Sequence, residues 1–399
     1  MQSQIANYKS QMTVRLGSDV LFDRGLIKGR TVGLVSNPAS IDAHFVHVVD
    51  RAAAAGVTVG AIFGPQHGFR SDLQENMIET PHARDAKRRV PVYSLYSETR
   101  VPTPEMVAGL DAFVIDLQDV GTRIYTYIYT MANCLVAARH HGLPVIVCDR
   151  PNPIGGAHVE GPMLEPGFES FVGQFPIPMR HGMTIGELAR LFNEEFGLGA
   201  KLEVVKMDGW TRDTWYDATT LPWVLPSPNI PTLDSAIVYP GTVLFEGTNI
   251  SEGRGTNRPF ELVGAPWVEP ESFCAALNAR DLPGVHFRPA LFQPTFHKHA
   301  GIPCGGCQIH VVDRDTFQPV AVGVALIEAF RTAGPKGFAW RDPPYEYEHD
   351  KMPIDILYGS ADLRERLQRG ENAPAIAASW SAGIAEFEKT RRKFLLYAE

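Results

Sequence analysis

Four short segments of the chain are almost entirely apolar. They span residues 30–36, 57–63, 111–117 and 143–148. Continuous apolar runs of this length are typical of parallel strands whose two faces are both covered by helices. Stretches with helical features lie between them, at 44–56 and at 126–142, where Gly142 is a good helix stop. This alternation predicts an α/β fold with a Rossmann-like parallel sheet.

The second half of the chain has a different pattern. Thr184 and Glu187 form a capping box ahead of an apolar helix face. Proline and glycine then become frequent between 221 and 240, which indicates a rigid crossing between two domains. Beyond it, strand and helix patterns mix in a way that favours an α+β domain. We therefore predict a Rossmann-like domain over 1–236 and a smaller α+β domain over 237–399.

Composition and charge exclude several classes of function. The 399 residues are 44% hydrophobic, with a net charge of −8 and a pI near 5.9, so nothing indicates a nucleic-acid partner. No apolar run is long enough to span a membrane, and the N-terminus lacks the layout of an export signal, so we expect a cytoplasmic protein unless such a signal is missing from this sequence. The Cys304-Gly-Gly-Cys307 segment indicates small residues in a strand rather than half of a metal site.

Polar side chains follow each of the four predicted strands. Ligands bind beyond the carboxyl ends of the strands in an open parallel sheet, so these groups are expected to share one site. The candidates are Asn37, Gln66, His67, Arg70, Asp116, Gln118, Asp119, Arg123, Arg150 and Asn152. No nucleotide-binding, zinc-protease or nucleophile-elbow motif is present, and we predict no cofactor and no metal. Carboxylates, amides, arginines and histidines around a cleft suit a small-molecule sugar, particularly an acidic one.

Two later runs are candidates for the same cleft. The run from 246 to 261 places Asn249, Glu252 and Arg254 between glycines, which let the backbone approach a ligand. Arg254 is a candidate for binding a carboxylate through two hydrogen bonds. His181, in the run Arg-His-Gly ahead of the capped helix, is a further candidate for substrate contact.

The chain resembles the NamZ-type exo-β-N-acetylmuramidases, glycoside hydrolase family 171, formerly a domain of unknown function. The motifs that carry the resemblance include GLVSNPAS, FGPQHGFR, DLQDVGTRIYTYIYTM, CDRPNPIGG, RHGMTIGELARLFNEE, LPSPNIPTLDSAIVYPGT and FEGTNISEGRGTNRPFELVGAPW. It implies a cleft between the two domains and the release of terminal N-acetylmuramic acid from the non-reducing ends of peptidoglycan fragments. Tyr125 and Asn229, which lie in two of these motifs, are predicted to contact the sugar.

One position departs from the family pattern. The resemblance implies a catalytic glutamate where this chain has Gln66, and an amide cannot donate a proton as a general acid. The acid is therefore sought among Glu79, Asp116, Asp119 and Glu252. Glu79 ranks first because Met77 and Ile78 suggest an apolar setting that would raise its pKa.

Two alternatives to that hydrolase follow from Gln66. One is a non-catalytic binder of acidic amino sugars that has kept the cleft and lost the acid. The other is a hydrolase that acts on a related acidic amino sugar.

Overall fold

The computed structural model describes residues 12–75 and 77–398. Residues 1–11, which open the stretch considered above for an export signal, lie outside the described residues. Within the described ranges, no helix is both long enough and apolar enough to cross a membrane.

Twelve named strands and twelve named α-helices make up the described fold. The strands are β1 (Thr31–Ser36), β2 (Thr58–Gly64), β3 (Ala83–Arg84), β4 (Pro91–Ser94), β5 (Ala112–Asp116), β6 (Pro144–Cys148), β7 (Glu160–Met163), β8 (Pro178–Arg180), β9 (Lys201–Val205), β10 (Leu262–Ala265), β11 (Val285–Phe292) and β12 (Cys304–Val311). The helices are α1 (Gly17–Asp23), α2 (Val48–Ala54), α3 (Pro104–Val107), α4 (Tyr127–His141), α5 (Ile185–Glu194), α6 (Leu233–Thr242), α7 (Pro270–Asn278), α8 (Pro319–Ala333), α9 (Pro353–Tyr358), α10 (Asp362–Gln368), α11 (Ala373–Ala378) and α12 (Ser381–Arg391).

A seven-stranded sheet forms the centre of the N-terminal domain. Its strand order is β3-β4-β2-β1-β5-β6-β9, and every pairing is parallel except that of the short edge strand β3 with β4. All five residues of β5 are buried, as the apolar run predicts for a strand covered on both faces. The carboxyl ends of β2, β1, β5 and β6 therefore meet at one edge, which confirms the predicted α/β class and sheet.

Helix ends form where the sequence predicts them. Gly142 ends α4 in the left-handed conformation, with φ of 68°, which costs glycine little. The Thr184 side chain accepts a hydrogen bond from the backbone N–H of Glu187, and the Glu187 side chain accepts one from Thr184 in return, so the capping box before α5 is confirmed.

A three-stranded antiparallel sheet, in the order β10-β12-β11, forms the strand layer of the C-terminal domain. Cys304 and Cys307 are buried thiols on β12. Between them, a Cβ on Gly305 would lie 2.1 Å from the carbonyl oxygen of Val268, and one on Gly306 would lie 2.0 Å from that of Val263. Close backbone approach therefore explains the small residues of this segment, as predicted.

A buried guanidinium joins the two halves of the molecule. Arg123, which follows β5, donates to the carbonyl oxygens of Pro162 and Ile177 and, across the molecule, to those of Leu357 and Tyr358 in α9. Its side chain is fully buried, and it contacts carbonyl groups rather than a cleft.

The predicted boundary at 236/237 falls inside α6, and one continuous apolar core includes residues from both sides of it.

Candidate active site

A polar pocket lies between the two domains. From the N-terminal side it is lined by the loop after β2, the loop that enters α4 and the proline-rich crossing. From the C-terminal side, the 3-10 helix Val243–Gly247, the glycine-rich run and a loop before α9 complete it. The polar and aromatic residues of its lining are Gln66, His67, Tyr125, Thr126, Tyr127, Ser227, Asn229, Tyr239, Glu246, Arg254, Phe260, Tyr345 and Glu346.

Glu346 is the buried carboxylic acid of this pocket. Only 2% of the residue is exposed, and its Oε2 accepts a 2.8 Å hydrogen bond from the hydroxyl of Tyr96. Burial, together with the nearby charge of Glu246, raises its pKa to about 7, although the hydrogen bonds that it accepts oppose the rise. Its backbone has φ of 44°, a conformation that non-glycine residues rarely adopt and that concentrates at functional sites. At neutral pH Glu346 therefore holds a proton for a large part of the time.

Gln66 lies against this acid. Its Nε2 donates to Glu346 Oε1 at 3.3 Å, while its own Oε1 accepts a 2.8 Å hydrogen bond from the hydroxyl of Thr126. Since the threonine fixes the amide oxygen on its side, the amide nitrogen faces the carboxyl group. Gln66 is thus in the pocket, where the sequence predicts it, but it orients a carboxyl group instead of acting as one.

A second carboxylate, Glu246, enters the pocket with an arginine. Arg254 Nη2 donates to Glu246 Oε1 at 2.7 Å, and the hydroxyl of Tyr345 donates to Oε2 at 2.7 Å. Nη1 of Arg254 is buried and has no hydrogen-bond partner in the described part of the chain. That N–H group is available to a ligand, and the role of Arg254 in binding an acidic group stays a prediction.

His67 is a neutral histidine at the pocket wall. Burial is the main reason why its pKa falls to about 4, and the charge of Arg254 lowers it further. Its Nδ1 lies 2.7 Å from the carbonyl oxygen of Leu73, so Nδ1 carries the hydrogen and Nε2 is left as an acceptor. His67 can therefore accept a hydrogen bond from a hydroxyl group, but it does not supply a proton at neutral pH.

Glu252 lies behind the pocket as a buried anion. Burial alone would raise its pKa, but the charge of Lys298 and the hydrogen bond and charge of His297 hold the pKa well below its usual range. Its Oε1 lies 3.3 Å from Arg254 Nε. The structure thus contradicts a proton-donating role for Glu252 and gives it a role in positioning Arg254.

Most of the polar groups at the strand ends bind protein rather than face the pocket. Asp116 forms a buried ion pair with Arg150 at 2.6 Å. Asp119 contacts His181 at 3.2 Å and accepts the backbone N–H of Gly121. The remaining amides bond to backbone groups: Asn37 to Pro226, Gln118 to Pro151, Asn152 to Met183, and Asn249 to Gly337 and Ala339. The prediction that all strand-end groups line one cleft is therefore wrong, because most of these groups hold neighbouring loops together through hydrogen bonds and ion pairs.

Arg70 and Glu79 lie outside the pocket lining. Arg70 is exposed and lines a neighbouring groove, together with Asp72, Thr80 and Arg84 among others. The Glu79 side chain is 49% exposed, accepts a hydrogen bond from the hydroxyl of Tyr347 at 3.1 Å and lies 3.7 Å from Arg100. The apolar setting predicted for Glu79 is wrong, because Ile78 beside it is itself 44% exposed.

Five of the predicted site residues do line the pocket: Gln66, His67, Tyr125, Asn229 and Arg254. Glu346, Tyr345, Tyr96 and Thr126 were not predicted from the sequence. Glu246 was not predicted either, although it lies in the glycine-rich run from 246 to 261. The segment Tyr345-Glu346-Tyr347 resembles an exposed acidic loop. The sequence feature that could have indicated a site residue is a glutamate between two tyrosines, directly after two prolines.

The chain matches known proteins over nearly its whole length. Models of exo-β-N-acetylmuramidase NamZ match residues 32–234 for the N-terminal domain and 237–397 for the C-terminal domain. The chain is 47% identical over 387 residues to the peptidoglycan β-N-acetylmuramidase NamZ of Bacillus subtilis strain 168. The aligned region covers 96% of this chain and 91% of that protein.

Two solved structures share the fold. Both are DUF1343 family proteins of Bacteroides fragilis NCTC 9343. One has a TM-score of 0.87 and 35% sequence identity, and covers 96% of this chain and 99% of its own. The other has a TM-score of 0.76 and 26% sequence identity, and the match covers 97% of this chain and 99% of that structure's chain. Because the two domain models match consecutive ranges of the sequence and the relative is 47% identical, the chain belongs to the exo-β-N-acetylmuramidase NamZ family.

Proposed function

We propose that the protein is a glycoside hydrolase that releases terminal N-acetylmuramic acid from the non-reducing ends of peptidoglycan fragments. The observation that carries the proposal is Glu346, a buried carboxylic acid with a pKa of about 7 that faces a second carboxylate, Glu246, in one pocket. Glycosidases typically use two carboxyl groups, one of which is kept protonated by its environment. The name of the Bacillus subtilis relative supports the same activity.

Glu346 acts as the general acid in this proposal. It donates its proton to the glycosidic oxygen while the bond between that oxygen and the anomeric carbon breaks. The carboxylate of Glu246, held by Arg254 and Tyr345, supplies negative charge to the positive charge that develops on the sugar ring. Water then adds its oxygen to the anomeric carbon and gives its proton to the Glu346 carboxylate, which yields the free sugar and restores the acid.

The sugar's acidic group is assigned to Arg254. Its free Nη1 can donate a charge-assisted hydrogen bond to the lactyl carboxylate, a group that N-acetylglucosamine lacks. The Nε2 acceptor of His67 and the amide of Asn229 lie in the same lining and can bind hydroxyl or acetamide groups. Arg254→Ala should therefore weaken binding of N-acetylmuramic acid more than that of N-acetylglucosamine.

The substitution Glu346→Gln tests the acid directly. It keeps the size of the side chain and removes the titratable proton, so turnover of a chromogenic β-N-acetylmuramide should fall at least about a thousandfold while sugar binding persists. The exposed Glu203→Gln on β9 is the matched control and should behave as the wild type. Full activity of Glu346→Gln, with turnover abolished in Glu79→Gln instead, would assign the acid to Glu79. Absence of turnover in the wild type on this substrate and on the N-acetylmuramyl disaccharide would contradict the proposed function.

A further inference from the structure

A cluster of aromatic residues and one arginine lies beside the acid, outside the pocket lining described above. Its members are Tyr96, Arg100, Phe171 and Tyr347. Two of them are sequence neighbours of pocket residues, because Phe171 precedes Val172 and Tyr347 follows Glu346. The cluster is thus placed at the rim of the pocket, on the side that holds the proton donor.

The ring of Tyr347 is fixed from one side. The guanidinium carbon of Arg100 lies 3.9 Å from its centroid, a cation–π contact, and the Tyr347 hydroxyl donates to Glu79. The rings of Tyr96 and Phe171 approach it edge-on, with centroids 6.0 and 6.5 Å away. Even so, 45% of Tyr347 is exposed, although an aromatic ring gains by burial. Arg100 lies over one face of the ring, so the opposite face is the one on which a ligand can pack.

The backbone at this rim is strained. Glu346 and Tyr347 are consecutive non-glycine residues with φ of 44° and 71°. Such conformations cost free energy and persist where the surrounding structure enforces them, often at ligand sites. The strained turn places a buried carboxyl group and an exposed aromatic ring side by side.

We propose that Tyr347, supported by Arg100, is the platform of a leaving-group subsite, which binds the neutral sugar ring on the far side of the scissile bond. The inference rests on the proposed function, since a general acid must lie within hydrogen-bond distance of the leaving oxygen. The sugar attached to that oxygen therefore lies next to Glu346, where the exposed ring is the adjacent apolar surface. In peptidoglycan this sugar is N-acetylglucosamine, whose C–H faces suit packing on an aromatic ring.

Two substrates separate this subsite from the acid. N-acetylmuramyl-β-1,4-N-acetylglucosamine has a sugar as its leaving group, whereas methyl β-N-acetylmuramide has only methanol. Removal of the ring in Tyr347→Ala should lower the ratio of the two kcat/KM values about tenfold, as expected for the loss of one packed aromatic contact. Tyr347→Phe should keep the ratio, and so should Leu291→Ala, a matched change at a 72% exposed residue on β11. An equal loss on both substrates, or no loss on either, would overturn the subsite.

A binding measurement separates failure of the subsite from failure of the proposed function. Saturation-transfer NMR with methyl β-N-acetylglucosaminide requires no turnover. We expect contact with the wild type and with Leu291→Ala, and loss of contact with Tyr347→Ala. Absence of transfer to the wild type would overturn the subsite, even if the protein cleaves both substrates. If the wild type cleaves neither substrate but the NMR contact depends on Tyr347, the sugar platform stands and the hydrolytic function does not.

Discussion

Glu346 and Gln66 work as a pair at the residue scale. The amide donates to the carboxyl group, and a donor of this kind favours the ionised form that remains after proton transfer. Without that hydrogen bond, burial and Glu246 would hold the proton on Glu346 more strongly. Gln66 therefore adjusts the acid and does not replace it.

Gln66→Glu should turn this pair into two carboxyl groups that share a proton. Like charges at such a distance cannot both ionise easily, so the higher apparent pKa of the pair rises. The alkaline limb of the kcat/KM profile, set near pH 7 in the wild type by the loss of the Glu346 proton, should move up by about one pH unit or more. A pH–rate series on the disaccharide measures the shift. Gln368→Glu at the end of α10 is the control, and an unmoved alkaline limb would show that position 66 does not couple to the acid.

At the element scale, Arg123 links the loop after β5 to α9. Burial lowers its pKa to about 10, so it stays charged at neutral pH and satisfies four carbonyl groups at once. Its role is therefore in stability and not in substrate binding.

Arg123→Met should lower the free energy of unfolding by about 3–5 kcal/mol, because buried carbonyl groups lose their donors. Urea unfolding measures the loss, and Arg288→Met on the exposed face of β11 should cost little. At a temperature where the variant is folded, its KM should match that of the wild type. A raised KM with unchanged stability would show that Arg123 binds substrate, as the sequence predicts.

The elements were more predictable than the site. β5 and β6 could be predicted because a strand buried on both faces must be apolar throughout. The α5 capping box could be predicted because two residues three positions apart, Thr184 and Glu187, suffice for it. The place of Glu346 in the site could not be predicted, because 280 positions separate it from Gln66 and only the folded chain brings the two residues together. Asp116 and Arg150 were assigned to the cleft for the opposite reason: each looked available in its own loop, and their mutual ion pair appears only in three dimensions.

Three buried carboxyl groups make the molecule less stable as pH rises towards and through neutrality. Burial raises the pKa of Asp149, Glu160 and Glu346 to about 7 each. Since these folded-state values exceed the unfolded ones, the stability they contribute is fully present at acidic pH and is lost as pH rises through 7.

Between pH 6.5 and pH 8 the three groups should lower the free energy of unfolding by about 0.8 kcal/mol each, or roughly 2.4 kcal/mol together. His67, whose lowered pKa acts in the opposite direction, should offset about 0.4 kcal/mol of that fall, which leaves a net fall of roughly 2 kcal/mol. Urea unfolding at the two pH values measures the fall. Glu160→Gln, whose site is remote from the pocket, and Glu346→Gln should each reduce it by about 0.8 kcal/mol, while the exposed Glu203→Gln should not. A stability that rises over this interval would contradict the assignment.

The acid and the amide that orients it belong to different domains, and burial is the main reason why the acid holds its proton near pH 7. One apolar core runs through both halves, so the folding of the whole chain is what holds the acid beside its amide. If the core came apart, water would reach Glu346 and its pKa would fall towards that of an ordinary glutamate. Neither half expressed alone should therefore be active, because each would lack either the acid or the amide.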